Sequence, residues 1–162
     1  MISEVKGFIE SCHIMTIGTS NHTGVWTAPV YYVYHDTEFY FFSKPSSKHI
    51  KDAQAFARAA ASIHHDPKDW NHIKGIQMEG TVLAAGWNKQ SVEAFRLYGK
   101  KFPFTKEFMS KPFSGSLDQF QKQFKVRWYR FIPKKVVYLD NSISFGFKLM
   151  LQSDLTVCKE CN

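Results

Sequence analysis

Residues 25–56 read VWTAPVYYVYHDTEFYFFSKPSSKHIKDAQAF, and this stretch decides the fold. Val25 to Tyr34 is rich in β-branched and aromatic residues, which suit a pleated, half-buried surface. His35-Asp36-Thr37 is short and polar, as a hairpin connection should be, and Glu38 to Ser43 resumes the strand pattern. Lys44-Pro45 stops it, because proline cannot donate to a central ladder. Ser46 is a natural N-cap, with Ile50, Ala53, Phe56 and Ala57 at helical spacing behind it. A helix N-terminus with free N–H groups, two hydroxyls (Ser46, Ser47) and Lys48 makes a ready anion site. Ordinary capping followed by a solvated lysine explains the same residues equally well.

The strand Val25–Tyr34 is apolar on both faces. Trp26, Ala28, Val30, Tyr32 and Tyr34 point one way; Val25, Pro29, Tyr31 and Val33 point the other. A sheet with one solvated face would alternate with polar residues. One face therefore fills an interior, and the other calls for a partner subunit, a ligand, or both. Thr27, Ala28, Pro29 and Val30 could lay a backbone edge along a planar ring, although a plain core strand accounts for them too.

Working outward, Ser3 to Ser11 reads as a helix capped by Ser3, and His13 to Thr19 as a strand that turns at Gly24. Arg58 to His65 and Ile73 to Ala85 are further strands, the second bent at Gly80. Helices are expected over Gln90–Lys100, with Asn88 as cap, and over Leu117–Phe124, with Pro103 and Pro112 punctuating the connection between them. Lys125–Ile132 and Lys135–Asp140 are strands split by Pro133. The sum is about seven strands with a few short helices that do not alternate with them. That pattern is mainly β, an antiparallel barrel rather than a doubly wound parallel sheet. Residues 1–150 form a single domain and 151–162 a C-terminal tail.

The chain of 162 residues is long enough for a substantial core. Its 16% aromatic content, with fifteen phenylalanines, calls for a thick core, a subunit interface or a stacking site. No run approaches the ~20 apolar residues that span a bilayer, and the N-terminus lacks the layout of a secretory signal. The expectation is a cytoplasmic protein. A formal charge of +7 invites a nucleic-acid reading, but the basic residues are scattered and no ribonucleoprotein-type or glycine-clamp motif accompanies them. Attraction for a phosphorylated small molecule explains the charge without nucleic acid.

Cys158 and Cys161 form a C-x-x-C near the chain end, without the helix of a redox motif or the further ligands of a zinc site, and read as a frayed tail. His64 and His65 are adjacent on a strand and point to opposite faces. With His49 and His72 they read as structural or loop residues, and no metal is expected. Glu79, unaccompanied by a nucleophile, reads as the cross-strand partner of a lysine or arginine.

Trp26–Tyr34, Phe39–Ser43, SSKHIKDAQAF and IKGIQMEG, in this order and spacing, resemble the FMN-binding split-barrel superfamily, of which pyridoxamine 5′-phosphate oxidase is a member. Within it the chain looks most like the bacterial group related to YhbP, and FKVRWYRFIPKKVVYLDNSISFG is similar to that family's last strands. The resemblance covers about His13 to Phe147. It implies an antiparallel split barrel and a homodimer with cofactor sites at the subunit interface. It implies further that Thr27, Ala28, Pro29 and Val30 line an isoalloxazine, that Phe42 and Ser43 lie near its pyrimidine edge and ribityl chain, and that Ser46, Ser47 and Lys48 hold the phosphate. Gln77 falls on the strand that can touch the ring, and Trp128 or its neighbours on the strand that reaches the partner's flavin. By this resemblance the protein is an FMN-dependent oxidoreductase of a small molecule; the alternative is a non-catalytic flavin- or haem-binding module, since relatives on this barrel also hold deazaflavin, haem or nothing. Two departures stand out. The oxidases carry an arginine where this chain has Ser47, and their closing arginine-and-tryptophan substrate motif is missing. No side chain presents itself as the catalytic acid or base.

Overall fold

A computed structural model describes residues 1–108 and 113–158; Pro112 and Cys161 lie outside them. The chain opens with helix α1 (Ile2–Ser11), capped by Met1 rather than Ser3, which sets Val5 and Ile9 into the interior. Strand β1 (Ile14–Asn21) turns into β2 (Gly24–His35), and Gly24 supplies the positive φ of 135° that the turn requires. Strand β3 (Glu38–Ser43) follows through Asp36 and Thr37, both at positive φ. That is the two-residue primed turn whose twist matches an antiparallel pair.

Helix α2 (Lys48–Phe56) begins one residue later than the sequence implies: Ser47, not Ser46, is the N-cap, and Ser46 is exposed. It ends on Ala57 in the left-handed conformation. Strands β4 (Ala59–His64) and β5 (Lys74–Ala84), helices α3 (Lys89–Lys101) and α4 (Phe113–Phe124), and strands β6 (Arg127–Asp140) and β7 (Lys148–Leu151) complete the chain. Asn88 caps α3 as expected, accepting from the Ser91 amide at 2.9 Å.

The strands form one antiparallel sheet in the order β3-β2-β1-β4-β5-β6-β7, and β3 also pairs with β6, closing six strands into a barrel. β6 is shared: Arg127–Phe131 faces β3, and Val136–Leu139 faces β7. The two strands expected on either side of Pro133 are thus one. The register against β5 slips between Glu79 and Gly80, so Lys134 is the extra residue of a bulge, where proline's missing N–H disrupts no ladder bond. Gly80 makes this crossing possible: a Cβ there would lie 2.3 Å from the Ile132 carbonyl oxygen.

Inward-facing Met15, Ile17, Tyr32, Phe39, Phe41, Ile63, Ile76, Phe131 and Tyr138 fill the barrel, and Ile50 and Ala53 of α2 join them. A second cluster lies outside the wall, where α3 lays Ala94, Phe95 and Tyr98 over Val33, Tyr40 and Trp128. The described part of the tail is not frayed. Leu151 belongs to β7, the chain folds back so that Val157 bridges it, and Leu155 is buried in the main core.

Candidate functional site

The loop between β3 and α2 gathers hydroxyls around one imidazole. Ser43 Oγ is hydrogen-bonded to His49 Nε2 at 2.8 Å and lies 3.3 Å from Ser47 Oγ. Ser47 donates its hydroxyl to the Lys44 carbonyl at 2.7 Å rather than capping α2. The N-cap of α2 makes no side-chain capping bond, so among the described residues the first amides of the helix are candidate donors to an anion. His49 is buried, and that burial pushes its pKa down, the negative charge of Asp52 pulling only partly against it.

Lys48 does not reach out. Its Nζ lies 2.5 Å from Oδ2 of Asp52, one turn along α2, and Oδ1 of Asp52 accepts from Asn21 at 2.8 Å. The hydrogen bond from Lys48 leads in holding the Asp52 carboxyl below the usual range, burial opposing it. The expected phosphate lysine is half of an ion pair that ties α2 to the end of β1.

β3 pairs with β2 only from Tyr32 to His35, and among the described residues no strand covers that edge of β2 from Val25 to Tyr31. On the other edge Tyr32 donates to His13, which fixes the ladder phase. The main-chain groups of Thr27, Pro29 and Tyr31 therefore face the open edge, and proline is tolerated there because no N–H is needed. The side chains of Ala28 and Val30 are buried in the barrel, so these two offer only backbone, while Thr27 and Pro29 are exposed. Extending the β2–β3 register sets Val30 opposite Ser43, so the open edge starts beside the serine loop and runs away from it.

It runs toward a cleft of about 590 Å³. Gly18–Ser20, Val25–Thr27, Arg58–Ala60, Glu79, Gly80 and the bulge residue Lys134 line it, a size typical of small-molecule sites. Thr27 is the one expected site residue in its lining. Cleft and serine loop sit at the two ends of α2 in chain order, since Arg58 follows the helix and Ser47 precedes it. About 10 Å of strand separates Val30 from Thr27.

Three expected residues lie elsewhere. Gln77 is exposed on the outer face in a row with Ser62, Thr16 and Pro29, three strands from β2, or roughly 14 Å. Phe42 turns under the helices, its ring 4.4 Å from that of Trp128. Trp128 is only 2% exposed, stacked on Tyr40 and edge-on to Tyr98, so this indole cannot reach out of the subunit. Its neighbour Arg127 is exposed. Glu79 pairs across the sheet with Lys135 at 4.0 Å, as its position implied. Sequence reasoning missed Asp52, Asn21, Arg58 and Lys134. The i, i+4 spacing of Lys48 and Asp52 was a readable signal; nothing local marks the others. Among the described residues no three His, Cys, Asp or Glu side chains gather as metal ligands, and no helix is long and apolar enough to cross a membrane.

No family model matches the sequence. A UPF0306 protein of Klebsiella pneumoniae subsp. pneumoniae is 24% identical over 155 residues, covering 94% of each chain. The UPF0306 protein YhbP of Escherichia coli O7:K1 is 20% identical over 152 residues, covering 92% of this chain and 91% of its own. The chain has the split-barrel fold and resembles the UPF0306 proteins. Among solved structures, a haem-binding protein from Mycobacterium smegmatis superposes with a TM-score of 0.70 at 11% identity, over 95% of this chain and 58% of that one. A FAD-binding protein from Mesorhizobium loti gives 0.58 at 17% identity, over 83% and 90%. The split-barrel likeness to these two is one of architecture.

Proposed function

We propose that the protein is a cytoplasmic, homodimeric FMN-binding protein that acts as an oxidoreductase on a small molecule. One observation carries the reading. The unpaired edge of β2 leads from the uncapped N-terminus of α2 to the cleft at Thr27. A phosphoryl group at the Lys48–Ile50 amides, with Ser43 and Ser47 beside it, would leave a linked flat ring along the main chain of Thr27–Val30. Hydroxyls and oriented amides suit a phosphate dianion, and an open edge supplies donors and acceptors to a heterocycle at fixed spacing.

When bound, the flavin supplies the hydride or electron transfer. The chain's own part is to hold the phosphate, to set ring orientation through the β2 edge, and to admit the substrate through the cleft. Arg58 and Lys134 give that cleft a cationic side, with Glu79 as its acid, which fits an anionic or polar substrate. Ile14, Val25 and Tyr31, all exposed, give β1 and β2 an apolar outer surface for a second copy to cover.

A second reading, a haem-binding or sensing module without catalysis, is favoured by the haem-binding architecture neighbour and by Asp52 cancelling the charge of Lys48. Absorption separates them. Protein that is yellow or quenches added FMN fluorescence, with flavin bleached by NAD(P)H, supports the enzyme. A Soret band on haem titration with no FMN uptake overturns it, as does protein that takes up neither.

A further inference from the structure

Charge around the serine loop is unevenly satisfied. Lys48 is spent on Asp52, yet three cations on the other side of the same loop have no carboxylate partner among the described residues. Lys122 lies on the last turn of α4, Lys125 on the turn that follows, and Arg127 opens β6 in register with Ser43. With Pro45, Gln121 and Val126 they line a notch of about 270 Å³.

The backbone builds this notch rather than leaving it to flexible side chains. The Val126 amide donates to the Gln121 carbonyl at 3.1 Å, and Lys125 takes a left-handed φ of 54°, closing α4 tightly onto β6. Pro45 forms the facing wall and stands two residues before Ser47, the cap of α2. Three like charges repel one another unless an anion sits among them, and this set lies a strand spacing or two from the candidate phosphate loop.

We infer that the notch is a second anion site, which takes the further phosphoryl group of a ligand with a diphosphate, so that the protein holds a flavin dinucleotide in preference to the mononucleotide. This inference rests on the flavin part of the reading above and replaces its mononucleotide with a dinucleotide. A mononucleotide would reach only the serine loop, whereas a diphosphate linker would carry its second charge past Pro45 to Lys125 and Arg127, leaving the nucleoside outside the barrel.

The test is titration of the full-length protein with FMN, FAD and ADP, in wild type, in the triple variant Lys122→Gln/Lys125→Gln/Arg127→Gln, and in Lys125→Arg as the charge-retaining control. The three side chains are exposed, so the variants should melt with the wild type. Expected are binding of FAD about tenfold or more tighter than FMN, loss of that advantage and of ADP binding in the triple variant with FMN affinity nearly unchanged, and retention in Lys125→Arg. Equal affinity for the two flavins, an advantage that survives the triple variant, or a triple variant that weakens both flavins alike would overturn the notch while leaving the flavin reading intact. If neither flavin binds but ADP does, and is lost in the triple variant, the notch stands and the flavin reading falls.

Discussion

Lys48 and Asp52 neutralise one another across a single turn of α2, Nζ to Oδ2 at 2.5 Å. The lysine that opens α2, a phosphate ligand by its place in the sequence, therefore has its charge cancelled in the fold, and at the helix start phosphate affinity must come from amides and hydroxyls. Asp52→Asn should release Lys48 and tighten FMN binding roughly two- to fivefold, at some loss of stability because Asn21 keeps a weaker partner. Fluorescence titration measures it; an unchanged Kd would remove Lys48 from the phosphate site.

His49 gives the serine loop a pH response. Burial, partly countered by Asp52, holds its folded pKa below 6.5, so the unfolded chain takes up the proton first. Its contribution to stability is complete above pH 6.5 and is lost as pH falls through the folded value. Urea denaturation should show stability falling below that pH, and His49→Gln should flatten the slope there. A slope that persists in the variant would assign the response to another group.

A second acid transition belongs to Asp140. Burial pushes this carboxyl up, but hydrogen bonds from Ser142, Lys74 and Tyr138 outweigh it and hold it at about 2. The stability so gained is complete above about pH 4 and is lost as pH falls toward 2. Asp140→Asn should cost on the order of 2–3 kcal/mol at neutral pH and abolish this lower transition, leaving the His49 response in place.

Gly80→Ala tests the bulge. The added Cβ would meet the Ile132 carbonyl oxygen at 2.3 Å and the Phe131 ring at 2.7 Å. Backbone cannot yield as a flexible side chain would, so a loss of roughly 2–3 kcal/mol or more is expected in denaturant midpoint. Gly18→Ala is the control, its new Cβ sitting 3.7 Å from that of Ala60 in ordinary contact; equal effects would refute the steric argument.

Trp128 separates core from cofactor. Its Nε1 is buried without a partner among the described residues, so Trp128→Phe removes an orphan donor along with some packing and should cost about 1 kcal/mol. Trp128→Ala should cost about 3–5 kcal/mol. Trp128→Phe should leave flavin affinity unchanged; a large drop would restore the indole to the cofactor site.

The residues themselves determined whatever depends on neighbours within a few positions. The two-sided apolar β2, its polar two-residue turn, the serine-led start of α2 and the Asn88 cap all follow from period, turn chemistry and capping, which act over one hairpin or one helical turn. Tertiary structure decided the rest, because those outcomes depend on which strands meet. The barrel closes by pairing β3 with β6, some ninety residues apart in sequence, and that pairing sets Phe42 opposite Trp128, where α3 covers the indole. Pro133 sits inside one strand because β5 tolerates a bulge opposite Gly80. The cleft draws its walls from five strands and from Arg58, just past the end of α2, and Lys48 is silenced by a carboxylate that Asn21 of β1 helps to hold. Local pattern cannot contain such facts: they arise from contacts whose register is set only once the sheet has closed.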